Sequence, residues 1–221
     1  MKALSMSHPQ MRIPLHKRPF DLALTIPALI LLAPVLLVVA LLVRFRLGTP
    51  VLFRQERPGL GGEPFTLLKF RTMTDARDDS GALLPDAGRA HPFGQMLRRT
   101  SLDELPELLN VIRGEMSLVG PRPLLMRYLP RYTPEQMRRH EAIPGITGLA
   151  QVSGRNNLTW EEKFALDVEY VEKSSLALDI KILLQTVRAV TGAEGVNAPD
   201  CFGAPEFLGT TAEPRGGKET T

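Results

Sequence analysis

A long apolar run near the N-terminus limits what this chain can fold into more than any other feature. Residues Leu22–Val43 read LALTIPALILLAPVLLVVALLV and contain no charged side chain. As a straight α-helix they would extend roughly 33 Å, enough to cross a hydrocarbon core about 30 Å thick. A secretory signal peptide is disfavoured, because the run is too long and is followed by VRFRLGTP rather than by a small-residue cleavage site. The run therefore predicts a membrane segment.

Two features favour a helix that enters and leaves the membrane on one side over a helix that spans it. Pro34 lies in the middle of the run, where it removes a backbone hydrogen bond and clashes with the preceding turn, and Pro27 adds a second disturbance. Cations flank both ends, Lys17 and Arg18 before the run and Arg44 and Arg46 after it. Since positive residues tend to stay on the cytoplasmic side, both ends are expected there. We predict a re-entrant helix broken at Pro34, and a plain transmembrane helix is the alternative.

Composition excludes several classes of function. The net charge of +3 is too small to indicate nucleic-acid binding, and no stretch interleaves aromatic residues with a dense basic run. Cys201 is the only cysteine, so no intrachain disulfide can form and a reducing compartment is expected. The four histidines lack the spacing of metal ligands, which disfavours zinc chemistry.

The rest of the chain mixes short predicted strands and helices without the βαβ rhythm of a doubly wound sheet. The segments 51–55 and 64–70 are predicted to form a β-hairpin around a turn that contains Gly59, Gly61 and Gly62. The other predicted elements are a surface loop at 75–89, a helix at 101–113, an extended segment at 116–123, a glycine-containing loop at 144–148, and helices at 161–173 and 178–190. We therefore predict an α+β fold that is mostly helical, with a small cytosolic domain behind the re-entrant helix.

The last predicted helix carries apolar residues on one side, among them Ile180, Leu184 and Val187, and basic residues elsewhere. Such a helix covers a core in most proteins. In a protein that already binds the membrane, it can instead lie in the interface with its basic residues near lipid phosphates, and we predict amphipathic interfacial helices of this kind.

The adjacent acids Asp103 and Glu104 open the helix predicted at 101–113, and two interpretations fit them. In one they are structural: Ser101 caps the helix and Glu104 reaches back from the third position, or the helix starts at Asp103, which tolerates Pro106 better. In the other, the helix N-terminus keeps Asp103 ionised as a nucleophile or metal ligand.

The cations nearby favour the chemical interpretation. Phosphoryl transfer needs positive groups that offset the charge on the transferring phosphoryl group. Candidates are Arg98 and Arg99 just upstream, Lys69 and Arg71 at the end of the second strand, and Arg122 between Pro121 and Pro123. Asp103 and Glu104 would supply an acidic pair that can act as nucleophile and metal ligand, and these cations would bind the phosphates.

Several long motifs, in the same order, resemble the bacterial sugar transferases, the monotopic phosphoglycosyl transferases. They are KRPFD (17–21), KFRTM (69–73), RRTSLDELPELLNVIRGEMSLVGPRP (98–123), PGITGLAQVSGRN (144–156) and LDVEYV (166–171). The resemblance covers most of the chain, from Lys17 to about Val190. In this family the membrane helix re-enters at a Ser-Pro pair, which reads Ala33-Pro34 here.

The resemblance implies an enzyme that moves a sugar-1-phosphate from a UDP-sugar to undecaprenyl phosphate and releases UMP. It implies that Asp103 is the nucleophile of a covalent phosphosugar intermediate, that Glu104 is the second catalytic acid, and that Mg²⁺ binds beside both. Lys69, Arg98 and the motif Pro121-Arg122-Pro123 match positions that handle phosphate and nucleotide.

The implied domains are an N-terminal tail (1–16), a membrane-embedded helix (17–46), a catalytic domain (47–191) and a disordered C-terminal tail (192–221). The implied location is the bacterial cytoplasmic membrane, with the catalytic domain on its cytosolic face and membrane lipid as a further partner. A non-catalytic, membrane-tethered binding module or scaffold is the alternative. The sequence identifies neither the sugar nor the glycan pathway, and a homodimer is compatible with it.

Overall fold

The computed structural model describes residues 14–154, 158–191 and 206–210. The α-helices are α1 Lys17–Arg46, α2 Asp86–Arg89, α3 Pro92–Arg99, α4 Glu107–Arg113, α5 Pro134–Met137, α6 Leu149–Ser153, α7 Trp160–Lys173 and α8 Leu176–Thr191. The strands are β1 Leu52–Pro58, β2 Pro64–Phe70, β3 Ser117–Val119 and β4 Gly145–Thr147. The predicted class, α+β and mostly helical with a long apolar N-terminal helix, is confirmed.

Helix α1 is the only described helix that is long and apolar enough to cross a membrane. It runs through Pro27 and Pro34 without ending, so Pro34 does not separate two helices as predicted. Its C-terminal residues Val39 and Val43 pack with Phe70, Phe93 and Leu97 in a buried cluster. Re-entry itself stays a prediction.

The predicted β-hairpin is confirmed. Strands β1 and β2 pair antiparallel from Leu52 opposite Phe70 to Pro58 opposite Pro64. The turn between them is a short 3₁₀ segment in which Gly61 and Gly62 have φ angles of 65° and 82°. Glycine adopts this left-handed backbone without a steric cost, as the predicted turn requires. Lys69 is the second-last residue of β2, so pairing in the hairpin fixes its position.

The segment 144–148 was predicted to be a loop, but it contains a strand. Gly145–Thr147 forms β4, which pairs parallel with β3. A Cβ atom on Gly145 would lie 2.1 Å from the backbone nitrogen of Gly120, so these glycines allow two backbones to approach closely. The glycines that suggested a loop therefore serve strand pairing.

Asn110 fixes α4 to the edge of β2. Its side chain is fully buried, its Oδ1 accepts from Leu68 N at 3.1 Å, and its Nδ2 donates to Thr66 O and to Glu115 Oε2, both at 2.7 Å. All the polar atoms of this side chain are thus satisfied inside the protein, as a buried amide requires. The contact places the N-terminal end of α4 beside Lys69.

The two predicted C-terminal helices are confirmed as α7 and α8. Helix α7 begins with a capping box between Thr159 and Glu162, two residues whose side chains each bond the other's backbone. Helix α8 buries Ile182 and Asp179, whereas Leu184 and Val187 are about 60% exposed.

Residues 206–210, which lie within the tail predicted at 192–221, are described and packed. Phe207 is only 1% exposed, in an aromatic cluster with Tyr128 and Phe164. The remainder of the tail lies outside the described residues. An isolated Phe in a stretch rich in Gly, Pro and acids gave no periodic signal, so sequence patterning could not place it.

Candidate active site

Asp103 and Glu104 lie in a short 3₁₀ turn, Leu102–Glu104, between α3 and α4. The α-helix starts one turn later, at Glu107, with Pro106 as its N-cap. Ser101 has a left-handed backbone, φ 56°, and its side chain caps nothing. The predicted capping box and the predicted helix start at Asp103 are therefore both wrong.

Glu104 is held by two cations from different parts of the fold. Its Oε1 accepts from Lys69 Nζ at 2.6 Å and from Arg122 Nη2 at 2.5 Å. Lys69 comes from the end of β2, and Arg122 from the loop that follows β3. Burial alone would raise the pKa of Glu104, but the charges and hydrogen bonds of Arg122 and Lys69 outweigh it and hold that pKa well below its usual range. Glu104 is thus ionised and fixed.

Asp103 is buried, and within the described part of the chain its carboxylate accepts no hydrogen bond. Its pKa is raised, chiefly by desolvation and next by the charge of Glu104, while Lys69, Arg122 and Arg98 oppose the rise. The three cations thus counteract part of the cost of keeping this buried carboxyl group ionised. Of the two predicted acids, Asp103 is the one without a hydrogen-bond or ion-pair partner among the described residues.

Glu107 is a third acid at this site that the sequence interpretation missed. It is 2% exposed, and its Oε1 lies 3.1 Å from Lys69 Nζ. Burial, partly offset by Lys69, raises the pKa of Glu107 to about 7. Its spacing of one helical turn after Glu104 was a signal that could have found it.

Arg98 sits at the exposed end of α3, where its Nε donates to Thr72 Oγ1 at 3.0 Å. The structure therefore brings together Lys69, Arg98 and Arg122, three predicted cations, around the two predicted acids. Of the other cations considered, Arg71 is committed elsewhere, since it pairs with Asp75 at 2.6 Å and donates to Met73 O.

Pro121 and Pro123 are buried, and their backbone carbonyls accept hydrogen bonds from other parts of the domain. Gly145 N donates to Pro121 O at 3.0 Å, and Arg57 Nη1 donates to Pro123 O at 3.3 Å. Fixed on both sides, the motif directs the Arg122 side chain toward Glu104 while leaving it 41% exposed. Their predicted role in substrate binding stays a prediction.

A second ion pair behind the motif was also missed. Arg139 and Asp167 are both nearly inaccessible and pair at 2.7 Å, and Arg139 Nη2 also donates to Arg122 O at 2.7 Å. Asp167 belongs to the motif at 166–171, which hinted at its importance, whereas nothing in the sequence distinguished Arg139.

Among the described residues, no three His, Cys, Asp or Glu side chains are placed to hold one metal ion. Mg²⁺ commonly binds through one or two carboxylates together with substrate phosphates and water. Asp103 and Glu104 fit that kind of site, because Asp103 has no partner in the described structure and only Oε1 of Glu104 is bonded.

Chemically, the site combines an uncommitted carboxylate with cations that can face an anionic ligand. A carboxylate can attack an activated phosphorus, and fixed cations stabilise charge that develops on the oxygens around it. A diphosphate ester is the class of substrate that this arrangement suits.

Comparisons with known proteins decide the family. A sequence model of the bacterial sugar transferases matches residues 12–193. The chain belongs to the bacterial sugar transferase family. The predicted recognition is thereby confirmed, and so is the prediction that the protein is an enzyme of the transferase class.

Similar proteins of this family come from diverse bacteria. EpsL of Bacillus subtilis, an uncharacterised sugar transferase, is 54% identical over 194 residues, covering 88% of this chain and 96% of EpsL. A UDP-glucose:undecaprenyl-phosphate glucose-1-phosphate transferase of Caulobacter vibrioides is 42% identical over 189 residues, covering 81% of this chain and 71% of that enzyme. The exopolysaccharide production protein ExoY of Sinorhizobium fredii is 39% identical over 196 residues, covering 81% of this chain and 87% of ExoY.

Proposed function

We propose that this transferase moves a sugar-1-phosphate from a UDP-sugar to undecaprenyl phosphate, as an early membrane step of exopolysaccharide or related glycan synthesis. Relatives named for this reaction or for exopolysaccharide production support the substrate classes. The single observation that carries the mechanism is the carboxylate of Asp103, which is buried near three cations and accepts no hydrogen bond from the part of the chain that the structure describes.

In the first step, an Asp103 oxygen attacks the phosphorus that bears the sugar. The bond from that phosphorus to the bridging oxygen of the diphosphate breaks, and UMP leaves with the bridging oxygen. A phosphosugar–aspartyl intermediate remains. In the second step, a phosphate oxygen of undecaprenyl phosphate attacks the same phosphorus, which gives undecaprenyl diphosphate sugar and returns Asp103 as a carboxylate.

The cations stabilise the negative charge that develops on the transferring phosphoryl group and on departing UMP. Arg122 is partly exposed and Arg98 is exposed, so both can contact phosphate oxygens. Lys69 balances Glu104 and Glu107, which keeps the pocket from repelling an anionic donor. Mg²⁺ held by Asp103 and Glu104 would screen the diphosphate and favour departure of UMP.

The contacts of α1 support the one-sided topology. At its start, Lys17 Nζ lies 2.6 Å from Asp179 Oδ2, and at its end, Val43 and Leu47 are buried against the same domain. Lys17 and Val43 would lie about 39 Å apart on a straight helix. A helix spanning a core of about 30 Å would carry one of these ends away from the domain. We therefore propose that both ends stay on the domain's side of the membrane.

The exposed apolar surface marks where lipid would lie. The middle of α1 exposes Ile30 and Leu31 by more than 70%, and α8 exposes Leu184 and Val187. A shallow membrane helix and an interfacial helix would hold the acids at the depth of the acceptor's phosphate. We assign the protein to the cytosolic face of the bacterial cytoplasmic membrane, where nucleotide sugars are available.

UMP release tests this function. The full-length protein in detergent or nanodiscs is incubated with Mg²⁺, undecaprenyl phosphate and each of a panel of UDP-sugars. We expect UMP with at least one donor, loss of that release in Asp103→Asn, and normal release in the control Asp79→Asn, since Asp79 lies on an exposed loop. Donor binding without UMP from any donor would overturn the proposal in favour of a binding module.

A further inference from the structure

A C-terminal strap, Glu206–Thr210, packs against residues that are far from it in sequence, among them Tyr128 and Phe164. The Phe207 ring fills an aromatic cluster, with ring centroids 4.9 Å from Phe164 and 5.7 Å from Tyr132. Trp160 and Tyr128 complete the cluster, each with its ring centroid 5.7 Å from that of Phe207. Contacts of this number and geometry anchor a side chain specifically.

Polar contacts fix the strap on either side of Phe207. Glu206 Oε1 lies 2.9 Å from Arg131 Nη1 and 3.1 Å from Arg127 Nε. Gln136 Nε2 donates to Thr210 Oγ1 at 2.8 Å. The strap is thus held against the segment 126–137, which follows the Pro121–Pro123 motif.

The same aromatic rings enclose Arg139. Its guanidinium lies 5.8 Å from the Tyr132 ring centroid and 5.6 Å from that of Phe164. Arg139 in turn donates to the carbonyl of Arg122, whose side chain donates to Glu104. A continuous set of contacts therefore connects Phe207 to the acidic pair.

We propose that Phe207 is a positioning residue of the active site: by packing against Tyr132 and Phe164 it fixes Arg139, and through Arg139 it fixes Arg122. This inference rests on the proposed function, because it assigns a role in donor handling to Arg122. Without the Phe207 ring, Tyr132 and Phe164 have room to change rotamer, Arg139 loses its enclosure, and the Arg122 backbone loses a fixed partner. Displacements on the order of 1 Å in a catalytic group reduce rates by up to about 10²-fold.

Trp160 is the only tryptophan and lies against Phe207, so its fluorescence reports docking without any assay of activity. Phe207→Ala should make Trp160 more accessible to acrylamide and shift its emission to the red. Leu208→Ala is the matched control, because Leu208 is 79% exposed, and it should leave the emission unchanged.

The kinetic test uses UMP release by the full chain. Phe207→Ala should lower kcat/KM by about tenfold or more, Phe207→Leu by less, and Leu208→Ala by less than about twofold. Glu206→Gln, a surface change that cannot open the core, should shift kcat/KM in the same direction. Because Phe207 acts through Arg122, adding Phe207→Ala to Arg122→Lys should cost little more than Arg122→Lys alone.

Two results would overturn the positioning role. One is a Phe207→Ala or Glu206→Gln protein with exposed Trp160 but unchanged kcat/KM. The other is full additivity with Arg122→Lys, which would indicate a general loss of stability. By contrast, absence of UMP release from the unsubstituted protein, with Trp160 still protected, would defeat the proposed function itself.

Discussion

Two clusters of oppositely charged side chains in this protein are similar in composition but differ in how fully their polar groups are paired. At the start of α1, Lys17 Nζ donates to Asp179 Oδ2, Tyr170 Oη and Val119 O at 2.6, 3.0 and 2.8 Å, and Tyr170 donates to the other Asp179 oxygen. Each of the three N–H groups of the Lys17 ammonium can thus donate a hydrogen bond, and Lys17, Tyr170 and Asp179 are all buried. That cluster has no capacity left for a ligand.

The active-site cluster is incomplete. Glu104 receives two cations on one oxygen, Arg122 remains 41% exposed, and Asp103 has no partner among the described residues. A charge network that is fully satisfied stabilises a fold, whereas one that leaves a buried carboxylate unpaired keeps that group available for chemistry. The difference predicts that substitutions in the first cluster change stability and those in the second change turnover.

Among substitutions of the cations, the largest effect on turnover is expected from Lys69→Met. The change removes the cation shared by Glu104 and Glu107, so the pocket becomes more negative toward an anionic donor. We expect UMP release to fall by about 10²–10³-fold, the scale of losing one preorganised electrostatic contact. Lys173→Met, on the exposed surface of α7, is the control. Unchanged turnover in Lys69→Met would remove the distinction between the two clusters.

Lys17→Met should act on stability instead. It leaves Asp179 buried without its cation, a change that costs about 3–5 kcal/mol in other proteins. We expect a lower Tm by differential scanning fluorimetry, by roughly 2–4 °C for each kcal/mol, with kcat of the folded protein largely retained. A Lys17→Met protein with native Tm and greatly reduced kcat would reverse the assignment of the two clusters.

Glu107→Gln should change how stability depends on pH. The folded pKa of about 7 lies above the unfolded value of 4.5, so the folded state binds the proton more tightly. The stability from this group is therefore present below the unfolded pKa and is lost as pH rises through the folded pKa. Tm of the native protein should fall relative to that of Glu107→Gln between about pH 5 and about pH 8. Parallel curves would show that Glu107 does not titrate there.

The smallest effect is expected for Glu169→Gln on the surface of α7. Its carboxylate pairs with Lys173 at 2.8 Å, and the side chains of Glu169 and Lys173 are 43% and 67% exposed. Exposed pairs contribute little because water screens them, so Tm should change by less than about 2 °C. A larger drop would show that exposure is a poor guide to which ion pairs matter here.

Sequence patterning predicted the elements whose signals are local. The apolar run, the hairpin around Gly61 and Gly62, and the periodic helices α7 and α8 all formed as expected. It failed at 144–148, because glycines that permit close pairing with Gly120 resemble glycines of a loop. It failed also at Phe207, whose partners are far away along the chain.

At the active site, residue types were predictable and their support was not. Asp103, Glu104 and the three cations were chosen correctly as neighbours, since motif and chemistry indicated them together. The predicted helix start was wrong because Pro106 moves the start of α4 to Glu107 and leaves the acids in a 3₁₀ turn. Arg139 could not be found, because its role depends on a backbone carbonyl and on aromatic rings brought near by folding.

Mass spectrometry of the protein incubated with a UDP-sugar donor and Mg²⁺, without acceptor, tests whether Asp103 is the covalent nucleophile. We expect a phosphosugar adduct on the peptide containing Asp103, removed when undecaprenyl phosphate is added and never formed in Asp103→Asn. Complete turnover by the native protein with that peptide unmodified at every time point, or an adduct on another residue, would contradict it.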